Sequence, residues 1–181
     1  MNQKKQIITS ENINKINEKI YLGGIDGARE INYLKQEGIT HILSLAGKIF
    51  SINYEKGTFI TKIIEIMDFT DENIFKYFKE CIQFIENSKK IYIHCMAGVS
   101  RSATIVIAYI MWKEHKSYYQ AFLDVKYKRK FIAPNKGFIF QLRYFESMLN
   151  ENNYDLEKID FVGFNYKEKW DKFINFVGSY K

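Results

Sequence analysis

Cys95 and Arg101 bracket a loop of five residues, Met96, Ala97, Gly98, Val99 and Ser100. An apolar run ending in His94 precedes the loop, and a second apolar run follows Ser102. In a strand–turn–helix setting, a loop of mostly small residues with a glycine can curl so that successive backbone N–H groups point inward. Together with the positive end of the following helix, those groups form a nest for an anion. A thiol at the bottom of such a nest is favoured as its nucleophilic anion. Arg101 closes the loop with a planar fork that matches two oxygens of a phosphate. A tetrahedral dianion held against a sulfur nucleophile is the requirement for phosphoryl transfer through a cysteinyl-phosphate.

Other residues extend the set. Ser102 is placed to donate to the sulfur and ease its departure in a second step. His94, at the strand end, is read as structural, bonding backbone and orienting the cysteine. The leaving oxygen needs a proton donor, and the attacking water needs a base. The segment IMDFTDENI offers Asp68, Asp71 and Glu72. Asp71 lies just before an expected helix and reads as its N-cap. Asp68 ends the preceding strand, stands clear of the cap, and is preferred as the acid. Cys-x5-Arg alone is a weak signal. His before it, Gly within it, and Ser-Arg-Ser at its end make a buried structural cysteine the poorer reading. Cys81 falls on the apolar face of a helix and reads as a small core residue rather than a redox partner for Cys95.

These groups need elements to hold them. A strand at KIYLGG is followed by a helix over about 28–37, with Asp26 as a plausible N-cap and a stop at Gly38. ITHILSLAG and FITKIIEIM read as strands, and 48–58 as loop or hairpin. An amphipathic helix over 73–87 turns Ile74, Phe75, Phe78, Cys81, Ile82 and Ile85 inward. KIYIHC is the central strand, 101–115 a buried helix, and SYYQ a capping box opening a helix to about 128. Pro134 and Asn135 open a last core helix carrying Phe138, Leu142, Phe145 and Leu149. Strands alternating with helices argue for a single α/β domain with a mostly parallel central sheet.

The 181 residues suffice for one domain with a real core and a short appendage. A hydrophobic share of 46% excludes disorder as the expectation. The formal charge of +6 permits an anionic substrate without naming one. KYKRK at 126–130 is the one concentrated basic patch; a solvated helix end explains it as well as a nucleic-acid site does. Two cysteines make no disulfide framework, and no apolar run approaches the roughly 18 residues a membrane span needs. The expectation is a soluble, cytoplasmic protein that also has access to the nucleus, without cofactor, metal, nucleic-acid partner or stable membrane anchor.

HCMAGVSRSAT resembles the signature loop of the dual-specificity protein phosphatases, within the cysteine-dependent protein tyrosine phosphatase superfamily. IYLGG, GITHILSLA and VKYKRKFIAPNKGFIFQL resemble the family's segments in order, over roughly 18–149, and the run Pro134 to Leu142 is the most discriminating. The resemblance implies a protein tyrosine phosphatase-like fold and hydrolysis of phosphotyrosine and phosphoserine or phosphothreonine on protein substrates. It implies Cys95 as nucleophile, Arg101 and loop 96–100 as phosphate binder, and Asp68, by its spacing to Ile74, as acid and base. It also implies Asn135 as a brace for the loop, a role that coexists with capping the last helix. Arg129 matches a recurrent arginine but is given only a packing or surface role. The short chain leaves no room for long recognition loops, so the cleft is expected to be shallow.

No docking module is visible before the catalytic segment, so a stand-alone enzyme is expected. The loop carries no lysine, which counts against phosphoinositides. A phosphoprotein-binding pseudophosphatase and a phosphatase acting on a non-protein substrate, phosphoinositide or RNA 5′-phosphate, remain as alternatives. The chain therefore divides into a lead-in over 1–17, a catalytic domain over 18–149 and an aromatic-rich helical extension over 150–181. In the extension, Trp170, Phe173, Ile174 and Val177 form an apolar stripe. Packing on the domain's own surface is the preferred reading of the 161–180 helix, with a dimer or partner contact as the alternative.

Overall fold

A computed structural model of the chain describes residues 12–50 and 52–178. Five strands and seven α-helices are present among them, the strands forming one sheet in the order β1-β2-β5-β3-β4. They are β1 (Ile13–Lys15), β2 (Ile20–Gly23), β3 (His41–Ser44), β4 (Ile60–Ile63) and β5 (Ile91–His94). The three pairings from β2 to β4 are parallel, and β1 adds an antiparallel edge. The expected lead-in thus contributes a strand, with Ile13 and Ile16 buried.

β2 and β5 are buried along their whole length, which explains their near-continuous apolar sequences: both faces are covered. Ile20, Leu22, Leu43, Ile91 and Ile93 face the larger core, whereas Tyr21, Ile42 and Tyr92 face a smaller one. This is the period-2 alternation of a strand. Gly23, His94 and Ser44 pair in one row, so the three central strands end level with one another. Ligand sites of open α/β sheets lie beyond that carboxyl edge, and Cys95 is the first residue past it.

The helices are α1 (Ile25–Arg29), α2 (Ile31–Gln36), α3 (Phe78–Glu86), α4 (Arg101–Glu114), α5 (Tyr118–Lys128), α6 (Lys136–Glu151) and α7 (Tyr166–Gly178). α4 is buried from Arg101 through Met111, which accounts for its lack of a polar face. The Ser117–Gln120 capping box and the Asn135 cap, accepting the Phe138 amide at 2.9 Å, both form as expected.

Two caps do not. The helix expected over 28–37 starts at Ile25 after an extended Gly24, and Glu30 interrupts it with non-helical torsions. Asp26 lies inside that first helix and pairs with Arg29 at 2.8 Å instead of capping. Asp71 caps nothing either: a 3-10 turn (Phe75–Tyr77) leads into α3, and Asn73 accepts the Lys76 amide at 3.3 Å. The inward face of α3 is as expected, with Cys81 fully buried and its thiol pushed up by desolvation.

The extension folds back onto the domain. Phe161 and Phe164 set their rings 5.0 and 4.6 Å from Phe75, and Trp170 lies edge-on to Phe140 at 5.6 Å. Phe173 and Ile174 stay about half exposed, and the side chain of Val177 lies outside the described residues. No helix among the described residues is long and apolar enough to cross a membrane.

Candidate active site

β5 delivers Cys95 into a loop whose carbonyls all find partners on the outside. The Cys95 carbonyl faces Nδ1 of His94 at 3.2 Å, and the Met96 carbonyl accepts the Ile25 amide at 2.9 Å. Arg129 donates to the Ala97 carbonyl at 3.1 Å and to the Gly98 carbonyl at 2.8 Å. The Val99 carbonyl accepts the Ala133 amide at 2.9 Å, and the Ser100 carbonyl accepts both the amide and the hydroxyl of Thr104. Because the carbonyls turn outward, the alternate peptide edges turn toward the loop's centre, the geometry of an anion nest. Gly98 has φ +67°, and a Cβ there would run into the backbone of Gly23 and the Arg129 guanidinium. Only glycine fits.

Within the loop, Cys95 is 2% exposed. Its Sγ receives the Gly98 amide and the Ser102 hydroxyl, each at 3.3 Å. Sulfur acceptors tolerate this length. His94 is buried and stacked on Tyr92, and desolvation lowers its pKa to about 4. It is therefore neutral at pH 7, and with Nδ1 protonated it donates to the Cys95 carbonyl.

Arg101 is anchored through one nitrogen, which donates to the carbonyls of Leu45 at 3.0 Å and Ile66 at 3.1 Å. Its Nε is buried and has no hydrogen-bond partner among the described residues. A buried, charged donor without a partner is costly, and here it lies 4.0 Å from Asp68 Oδ2. An anion bound in the loop would satisfy it.

Asp68 stands at the rim, its side chain 37% exposed. One oxygen accepts the Ser100 hydroxyl at 2.7 Å and the Asn135 side-chain amide at 2.9 Å. Ser100 in turn accepts the Asn135 backbone amide at 3.1 Å. Asn135 thus braces the loop through its backbone while its side chain holds Asp68 and caps α6. Asp71 has no hydrogen bond or ion pair with these groups and is exposed.

Arg129 is where sequence reasoning fell short. It is 3% exposed and carries two loop carbonyls, and it also binds Asn14 on β1 at 2.6 Å. The basic run around it concealed one buried arginine among solvated lysines. Ser100, read only as a phosphate-loop residue, also holds Asp68. A charged group surrounded by basic neighbours gives no periodic signal of burial.

The sheet order, the level strand ends and the Cys95–Arg101 loop define a cysteine-dependent phosphatase architecture. The model of the dual specificity phosphatase catalytic domain matches residues 20–148, and the chain belongs to that family of phosphatases. It is 38% identical over 138 residues to dual specificity protein phosphatase 1 of Arabidopsis thaliana, covering 74% of this chain and 69% of that protein. It is 32% identical over 155 residues to dual specificity protein phosphatase 1B of the same plant, covering 83% of this chain and 92% of that protein.

Among solved structures, that of DUSP15 superposes with a TM-score of 0.72 at 30% identity, covering 83% of this chain and 99% of that one. That of a human tyrosine phosphatase-like serine/threonine/tyrosine-interacting protein gives 0.73 at 33% identity, covering 76% and 97%.

Proposed function

We propose that this chain hydrolyses phosphotyrosine and phosphoserine or phosphothreonine on proteins, with Cys95 as nucleophile, Arg101 as phosphate binder and Asp68 as general acid and base. The observation that carries the reading is the presence in one loop of a twice-hydrogen-bonded Cys95 Sγ and a buried Arg101 Nε that has no hydrogen-bond partner among the described residues.

In the first step the Cys95 thiolate attacks phosphorus and the P–O bond to the substrate breaks. The leaving oxygen takes its proton from Asp68. The loop amides and Arg101 hold the three remaining phosphoryl oxygens, over which the transition-state charge is spread. In the second step the Asp68 carboxylate removes a proton from water, whose oxygen attacks phosphorus. The S–P bond breaks, and Ser102 donates to the departing sulfur. Loop residues Met96 to Ser100 add no side-chain cation, which favours a single phosphate over a polyphosphorylated headgroup.

Turnover of p-nitrophenyl phosphate tests the reading. Wild type should hydrolyse it, and Cys95→Ser should remove activity while leaving vanadate or phosphate binding. Equal rates for the two proteins would sink the nucleophile assignment.

A second reading has one observation in its favour, the likeness to a protein whose title calls it phosphatase-like and interacting. On that reading the loop captures a phosphoprotein without turnover. Activity of wild type on phosphotyrosine and phosphothreonine peptides eliminates it; tight phosphopeptide binding without turnover establishes it.

A further inference from the structure

We propose that Tyr166, at the start of α7 and outside the span matched to the family, is a positioning residue that holds the loop carrying Asp68. The proposal rests on the assignment of Asp68 as general acid, and its test separates the two.

The Tyr166 hydroxyl donates to the carbonyl of Thr70, two residues beyond Asp68. Tyr166 is 3% exposed, packed among Phe164, Phe140 and Trp170. Burial raises its hydroxyl to about 12, so it remains a donor at neutral pH. Across the same carbonyl lies Gly137 of α6, where a Cβ would meet both the Thr70 oxygen and the Tyr166 hydroxyl. The loop backbone is therefore pressed between a bare helix turn and a tyrosine.

Neighbouring groups complete the clamp. Asn135 donates to the Phe69 carbonyl at 3.3 Å, Gln141 donates to the Glu72 carbonyl at 2.8 Å, and Gln141 accepts the Phe75 amide at 2.9 Å. All of these come from α6 or its cap. Tyr166 alone brings the extension to the loop's backbone among the described hydrogen bonds. Among the described residues, Asp68 itself is held at its carboxylate by Ser100, Asn135 and the nearby Arg101, and its side chain is 37% exposed. Its reach toward a leaving oxygen thus depends on where the backbone from Phe69 to Glu72 is fixed. A loss of about 1 Å of positional accuracy in a catalytic group is enough to matter by up to about 100-fold.

The test uses Tyr166→Phe, which keeps the buried ring and removes one hydroxyl. kcat/KM, which reports the step that cleaves the P–O bond, is measured for wild type, Tyr166→Phe, Asp68→Ala and the double variant. The substrates are p-nitrophenyl phosphate, whose leaving group needs little protonation, and phenyl phosphate, whose leaving group needs it.

Tyr166→Phe is expected to lose on the order of 10-fold on phenyl phosphate and less than about 2-fold on p-nitrophenyl phosphate. In the Asp68→Ala background the same substitution should change neither. An equal loss on both substrates, no loss, or a loss that persists without Asp68 overturns the proposal, because a general structural role would produce those patterns. If Asp68→Ala shows the leaving-group dependence and Tyr166→Phe does not, the proposal alone falls. If Asp68→Ala lacks it, the acid assignment falls and takes the proposal with it.

Discussion

The Ser100 hydroxyl lies 2.7 Å from Asp68 Oδ1, joining the phosphate loop directly to the carboxyl at its rim. Asn135 closes this link from a third segment, donating its backbone amide to Ser100 and its side-chain amide to Asp68. The spacing between the loop and the Asp68 carboxyl is thereby set by two side chains. Asp68→Ala should lower kcat/KM on poor leaving groups by about 10²–10⁴-fold, the usual range for a lost general acid. Ser100→Ala should act in the same direction but less, and Asp71→Ala should stay within a few-fold of wild type. A larger loss from Asp71→Ala would reverse the assignment of the acid.

Arg129 ties the loop to β1 and to the end of α5. Arg129→Lys keeps the charge but loses the fork that reaches the Ala97 and Gly98 carbonyls together. Two buried carbonyls losing a charged donor should cost about 2–4 kcal/mol in urea unfolding. The inhibition constant for inorganic phosphate should rise as the loop relaxes. Unchanged stability and unchanged phosphate affinity would show that the loop holds its shape without the arginine.

Ser102 donates to Cys95 Sγ at 3.3 Å. Removing that hydroxyl should slow expulsion of the sulfur more than its attack. In rapid-mixing experiments with p-nitrophenyl phosphate, Ser102→Ala should release a burst of nitrophenol near one equivalent, then turn over slowly. A uniform slowing without a burst would place Ser102 outside the second step.

His94 predicts a pH dependence of stability. Its folded pKa of about 4 lies below the ordinary 6.5, so the unfolded chain binds the extra proton first as pH falls. Its contribution is fully present above pH 6.5 and is lost on acidification toward pH 4. The difference corresponds to on the order of 3 kcal/mol. Chemical denaturation of wild type and His94→Asn across that window checks this: the wild-type loss should exceed the variant's. Parallel curves would mean that His94 is accessible to protons in the folded state.

Much of the fold could be read along the chain. Unbroken apolar runs marked β2, β3 and β5 because both faces of a central parallel sheet are buried. The period of α3 and the capping box of α5 depend only on local spacing, and both formed as expected. The short β1 escaped notice because three residues carry no period; it becomes a strand only by pairing with β2. Asp26 and Asp71 were misread as caps because N-cap preference is a local statistic, whereas the actual helix starts were set by Gly24 and by a 3-10 turn.

The loop from Cys95 to Ser102 was determined by sequence alone, since a cysteine, small residues and an arginine at fixed spacing need only a strand before and a helix after. What holds that loop was decided by tertiary structure. Ile25, Arg129, Ala133 and Asn135 supply its carbonyl and hydroxyl partners from two distant stretches of the chain. Tyr166 reaches the Asp68 loop from a segment nearly one hundred residues on. A hydrogen bond between residues so far apart leaves no spacing to read: it exists only once the sheet, α6 and the extension have packed.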